Sequence, residues 1–112
     1  MIRVTCFIRP HKLEEVKTAI AELGISGMSV SDVRGRGNSL EQAGVFGGQE
    51  YLVALPVKAK LVVFAPDELQ EPLIRTVLEH AWTGESGDGK IFVEPVEDAI
   101  RVRTGERGES AI

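Results

Sequence analysis

The sequence predicts an α+β fold in which one four-stranded sheet carries two helices on a single face. Three observations lead there. The order strand, helix, strand occurs twice along the 112 residues. Both intervening stretches place apolar residues at spacings of three and four, the signature of an amphipathic helix. Glycines and prolines stand at most of the boundaries between these stretches, where chains turn.

Each element has its own reason. Residues 2–8 alternate apolar and polar as far as Pro10, which suits a half-buried strand. Leu13, Val16, Ile20 and Leu23 then mark one helical face, and Gly24 closes the run. Met28, Val30 and Val33 alternate with serines to give a second strand. The run from Lys60 to Ala65 is dense in β-branched residues and stops at Pro66, a third strand. Ile74, Val77, Leu78 and Ala81 mark the face of the second helix. Pro72 must lie in that helix's first turn or bend it. Ile91, Phe92 and Val93 form the fourth strand, ending at Pro95. Two βαβ halves in tandem give a ferredoxin-like sandwich forming a single domain over residues 1–112. Its second sheet face has no helix to cover it, which favours an oligomer that packs such faces together.

Two stretches fall outside this sandwich. Residues 35–51 hold Gly35, Gly37, Gly44, Gly47 and Gly48 with little periodicity, predicting a long exposed loop that protrudes over about 37–52. Residues 101–112 form a polar tail after the last core strand. Binding residues concentrate in such segments when a rigid scaffold holds them.

Composition narrows the function. The net charge is −4 and the 13 basic residues are scattered, so a nucleic-acid partner is not expected. Cys6 is the only cysteine, which excludes an internal disulfide and reads as a small hydrophobe in a strand. Arg3 and Arg9 bracket the only early apolar run, and no run reaches transmembrane length. A soluble, cytoplasmic protein without membrane insertion is the expectation. His11 and His80 show no ligand spacing, and no metal site is expected from them.

The stretch Thr83-Gly84-Glu85-Ser86-Gly87-Asp88-Gly89-Lys90 is the most informative. Gly84 to Lys90 matches the phosphate-loop spacing GxxxxGK. A true phosphate loop follows a strand and opens a helix, however, whereas this one follows a helix and opens a strand. Ile91 also stands where a magnesium-binding hydroxyl would be needed. The stretch can still bind an anion, because closely spaced glycines let backbone amides converge on a phosphate. Arg101 and Arg103 lie two apart, so in an extended tail both project to one side and can grip phosphate. The plain alternative is a tight turn and two solvated arginines.

Thr83, Gly87-Asp88-Gly89-Lys90-Ile91-Phe92-Val93 and Val96 resemble the C-terminal signature of the P-II nitrogen-regulatory family. Ile100 to Glu106 resembles its closing segment. Ile8-Arg9-Pro10, Lys12-Leu13, Glu15-Val16-Lys17 and Gly27-Met28 match its opening strand, helix and turn. The resemblance implies a homotrimer that binds ATP or ADP in clefts between subunits and controls a target enzyme, transporter or regulator through an exposed T-loop. It assigns phosphate contacts to Gly87, Gly89 and Lys90, within a turn that includes Asp88. Arg101 and Arg103 would reach in from the adjoining chain. It places Ser29 and Phe64 at the adenine, Gly35 and Gly37 near the ribose or phosphates, and Lys58 at 2-oxoglutarate or the γ-phosphate.

The middle of the chain departs from that pattern. Ser39 stands where the family carries a glutamine that ligates the magnesium of ATP, so magnesium and 2-oxoglutarate binding are both weakened expectations. Arg36, Asn38, Leu40 and Glu41 replace the usual Phe, Arg, Lys and Gly, and Glu41 adds a negative charge beside the expected dicarboxylate. Val62 stands where many members have glutamate. Gln49 and Gly47 replace a serine and an arginine of the T-loop. Tyr51 occupies a position that is uridylylated in some bacteria, although anchoring the loop base is its simpler role. A nucleotide hydrolase is the enzyme alternative, but no second acid or histidine accompanies Asp88 as a base. A further alternative is a trimer of the same design turned to another small ligand or to transport regulation, with nucleotide as co-input.

Overall fold

The computed structural model describes residues 1–35, 43–46, 49–52 and 55–112, with backbone alone for 43–46 and 49–52. Strand β1 (Ile2–Ile8) leads through a short 3-10 turn, Pro10–Lys12, into helix α1 (Leu13–Glu22) and strand β2 (Met28–Arg34). Strands β3 (Ala43–Phe46) and β4 (Gln49–Leu52) follow. Then come β5 (Val57–Ala65), helix α2 (Gln70–Ala81) and β6 (Gly89–Pro95). The main sheet has the order β2-β5-β1-β6 with every pair antiparallel, the ferredoxin-like topology expected from the sequence.

Alternation along the central strands builds the core. Ile2, Val4, Cys6 and Ile8 of β1 are buried, as are Ala59, Leu61, Val63 and Ala65 of β5. Val16, Ala19 and Ile20 of α1 and Leu73, Val77 and Ala81 of α2 are buried with them, which places both helices on the same face. Each large side chain removed from water there contributes about 1.5–3 kcal/mol. Burial pushes the Cys6 thiol up to about 11, consistent with its role as an inert hydrophobe. Gly24 ends α1 with φ +87°, and its amide donates to Ala21 at 2.9 Å. Pro72 sits in the first turn of α2, where its missing N–H leaves no bond unmade.

Three sequence expectations are corrected. The buried face of α2 is Leu73, Val77 and Ala81, while Leu78 is 60% exposed, because the stripe follows i, i+4, i+8 rather than beginning at Ile74. Strands β5 and β6 start earlier than their apolar runs, at Val57 and Gly89, since the ladder extends beyond the buried residues. The expected featureless loop contains an antiparallel pair, β3 and β4, in which Phe46 faces Gln49.

The opposite face of the sheet carries Thr5, Phe7, Lys60, Val62, Phe64 and Phe92, with no helix of the described residues over it. Phe7 and Phe92 meet edge to face at 6.0 Å, and the Lys60 ammonium lies 5.9 Å from the Phe7 ring centre. Arg3 and Glu94 pair at 2.7 Å on the same face.

Candidate functional site

The turn that joins α2 to β6 is organised around one carboxylate. Asp88 Oδ2 accepts the backbone amides of Thr83 at 2.7 Å and Gly84 at 3.0 Å, and Oδ1 accepts the Thr83 hydroxyl. Arg9, at the end of β1, donates Nε to Asp88 Oδ1 at 2.9 Å and Nη2 to the Ser86 carbonyl at 2.7 Å. Lys58 donates to the Gly87 carbonyl at 2.6 Å. Burial opposes ionisation of Asp88. The Thr83 hydroxyl and amide, the Arg9 guanidinium and the Gly84 amide outweigh it and hold the carboxyl well below the usual range. Burial, and next the Arg9 charge, push the Lys58 ammonium below its ordinary value, while Asp88 acts the other way.

All three glycines of the turn have positive φ, Gly84 at +87°, Gly87 at +99° and Gly89 at +108°. A Cβ on Gly89 would fall 1.6 Å from the Phe7 carbonyl oxygen, so only glycine lets β6 close against β1 there. Lys90 follows on β6, exposed and opposite Phe7. Gly35 lies beyond the end of β2, its amide bonded to Pro56 at 3.0 Å. The basic cluster Arg9, Lys58 and Lys90 therefore meets the glycine turn at one end of the sheet.

Two other predicted residues lie at the opposite end. Ser29 and Phe64 line a cavity of about 760 Å³, together with Ile25, Ile100, Glu109 and Ile112. Phe64 is opposite Arg3 in the ladder, while Lys58 is opposite Val33. They are six positions apart on β5, which at about 3.3 Å per residue separates the two ends by about 20 Å.

The tail is not extended, contrary to the sequence expectation. Arg101 N–H donates to Glu106 O at 2.9 Å and Gly105 N–H to Arg101 O at 2.7 Å, closing a turn. Arg101 and Arg103 therefore do not share one side of a strand, because the backbone bonds that curl the segment outweigh its alternation. The Arg101 guanidinium contacts Glu106 at 3.1 Å, whereas Arg103 is exposed and makes no ion pair among the described residues.

Several named positions lie outside the described residues: Arg36, Gly37, Asn38, Ser39, Leu40, Glu41, Gly47 and Gly48. Tyr51 falls in β4. Arg9 is the site residue that sequence reasoning missed. Its one signal was a basic residue at the end of β1, the strand that β6 joins at Gly89. His80 is held by Glu15 at 2.9 Å between the two helices. Among the described residues, no cluster of His, Cys, Asp and Glu is arranged to hold a metal ion, and no helix is long and apolar enough to cross a membrane.

Fold and loops together define a small ferredoxin-like protein whose candidate site residues are divided between the two ends of its sheet. A family model described as nitrogen regulatory protein P-II matches residues 1–106. The chain is 46% identical to nitrogen regulatory protein P-II of Haemophilus influenzae, over the full length of both. It is 41% identical to nitrogen regulatory protein P-II 2 of Methanothermobacter thermautotrophicus, covering all of this chain and 97% of that one. The solved structure of Arabidopsis thaliana PII bound to citrate superposes with a TM-score of 0.80 at 41% identity, covering 99% of this chain and 91% of the other. The chain belongs to the P-II family of nitrogen regulatory signal-transduction proteins.

Proposed function

We propose that the protein senses ATP and ADP in clefts between the copies of a homotrimer and controls a target protein through the segment 37–52. It acts by binding rather than by catalysis. One observation carries this reading: the glycine turn with Lys58 and Lys90 lies about 20 Å along β5 from the cavity lined by Ser29 and Phe64. A nucleotide contacting both sets must lie between two chains. The uncovered sheet face, with Phe7, Phe64 and Phe92 on it, supports association of copies. The chemistry of the parts fits a nucleotide. A cavity walled by Phe64 suits a base, and the glycine turn with three cations at its edge suits a polyphosphate.

Binding of 2-oxoglutarate is weak or absent in this reading. Ser39 is shorter than the glutamine it replaces, and Glu41 brings a carboxylate towards a dicarboxylate ligand. Those two residues also favour the second reading, in which the trimer serves another small ligand or transport regulation with nucleotide as co-input. That the Arabidopsis relative holds citrate fits a scaffold that accepts other organic acids.

Calorimetric titration with ATP, ADP and AMP, each with and without 2-oxoglutarate, tests the proposal alongside light scattering. A trimer that binds ATP and ADP with little response to 2-oxoglutarate is expected. A monomer at micromolar concentration, or no nucleotide binding, overturns the reading. Tight 2-oxoglutarate binding overturns only the part resting on Ser39 and Glu41.

A further inference from the structure

We propose that Glu106 is an internal competitor for phosphate, a carboxylate that occupies the Arg101 guanidinium until a nucleotide displaces it. This rests on the reading that Arg101 meets a phosphate. Arg101 Nη1 contacts Glu106 Oε1 at 3.1 Å, and its Nη2 donates to the Ser110 carbonyl at 3.1 Å. The same carboxylate oxygen accepts the Thr104 hydroxyl at 2.8 Å. Within one turn, then, Arg103 is free of ion pairs among the described residues and Arg101 is neutralised.

The side-chain pair is not needed to shape the turn. Two backbone bonds close it, Arg101 N–H to Glu106 O and Gly105 N–H to Arg101 O. Ile100 and Arg107 add a bridge. Asp98 anchors the base separately, accepting Arg107 at 2.7 and 2.9 Å and the Gly108 amide at 3.2 Å. Glu106 can therefore release Arg101 while the loop keeps its form. The exchange is also reversible, because both side chains of the pair are about two-fifths exposed (41% and 42%) and such pairs are weak. A phosphate dianion offering bidentate contact outcompetes a single carboxylate oxygen. Glu106 thus lowers nucleotide affinity, and it stabilises a defined empty state of the tail that differs from the filled one.

The test is a double-substitution cycle read by calorimetric titration of ATP, with wild type, Glu106→Gln, Arg101→Ala and the combination. The Gln side chain keeps an acceptor for Thr104, and circular dichroism checks that each variant folds. Glu106→Gln is expected to tighten ATP by about two- to fivefold. Arg101→Ala is expected to weaken it, and adding Glu106→Gln to Arg101→Ala to change nothing further. Unchanged or weaker binding by Glu106→Gln overturns the proposal, as does tightening that persists without Arg101, which would be a general charge effect. If Arg101→Ala weakens ATP while Glu106→Gln does not tighten it, only the competitor role fails. If wild type does not bind ATP, or Arg101→Ala leaves its affinity unchanged, the parent reading fails at this residue.

Discussion

Arg9 and Asp88 are joined at 2.9 Å between the end of β1 and the turn that starts β6. Through this pair, a residue early in the chain fixes the shape of a loop 79 positions later. Because Arg9 also holds the Ser86 carbonyl, the turn is set on both sides of Gly87. A ligand at Gly87 would meet a preorganised turn.

Asp88→Asn should destabilise the fold by about 1.5–3 kcal/mol, since it removes a carboxylate with four donors at a site only one-quarter exposed (25%). The pH dependence follows from the depressed carboxyl. Its folded pKa lies below the unfolded value of about 3.9. The stabilisation is therefore complete above about pH 5 and is lost as pH falls through the unfolded value towards the folded pKa. Urea unfolding at fixed protein concentration should show wild type losing stability in this window and Asp88→Asn losing less. Parallel curves would mean that Asp88 is not the group responsible.

Gly89→Ala and Gly24→Ala separate two uses of glycine. Both positions have positive φ, but a Cβ at Gly24 meets nothing within 4 Å, whereas one at Gly89 meets the Phe7 carbonyl oxygen at 1.6 Å. Gly24→Ala should cost about 1–2 kcal/mol of backbone strain. Gly89→Ala should exceed about 3 kcal/mol or fail to yield folded protein. Equal losses in denaturant titrations would contradict the close approach of β6 to β1.

How much was legible in the sequence varies by element. The strict alternation of Ile2, Val4, Cys6 and Ile8 announces one buried face, and the paired βαβ order announces the topology. Helix α2 was harder, because Leu73, Ile74, Val77 and Leu78 are all apolar and periodicity alone does not choose between overlapping stripes. Packing against α1 and the sheet makes that choice. The glycine turn stands out in the sequence, but the roles within it do not. Asp88 organises the backbone, Gly89 is required by Phe7, and Arg9 arrives from a distant strand, a relation that only the register creates. The two-residue spacing of Arg101 and Arg103 puts them on one side only if the tail is extended, and a turn closed by backbone bonds leaves no mark on that spacing.

The stripe on α2 gives a direct check. Leu73 is fully buried, so Leu73→Ala should cost about 2–5 kcal/mol through lost burial and a residual cavity. Leu78→Ala should stay within about 0.5 kcal/mol in the isolated chain's fold. Thermal and urea unfolding of the two variants would decide, and a larger loss at Leu78 would reverse the assignment.

The central claim is that one nucleotide site takes the glycine turn from one chain and the tail arginines from its neighbour. Co-refolding two single variants, Lys90→Ala and Arg103→Ala, tests it most directly. Each variant alone should bind ATP about tenfold or more weakly, as expected for the loss of a charged phosphate contact. In a ring of randomly mixed chains, about a quarter of the sites combine an intact Lys90 with an intact Arg103 from the next chain. Calorimetric titration of the mixture should therefore recover wild-type affinity at about that fraction of sites. Mixing without co-refolding should recover none if the trimers do not exchange subunits. Failure of the co-refolded mixture to recover any tight sites would contradict a site shared between chains.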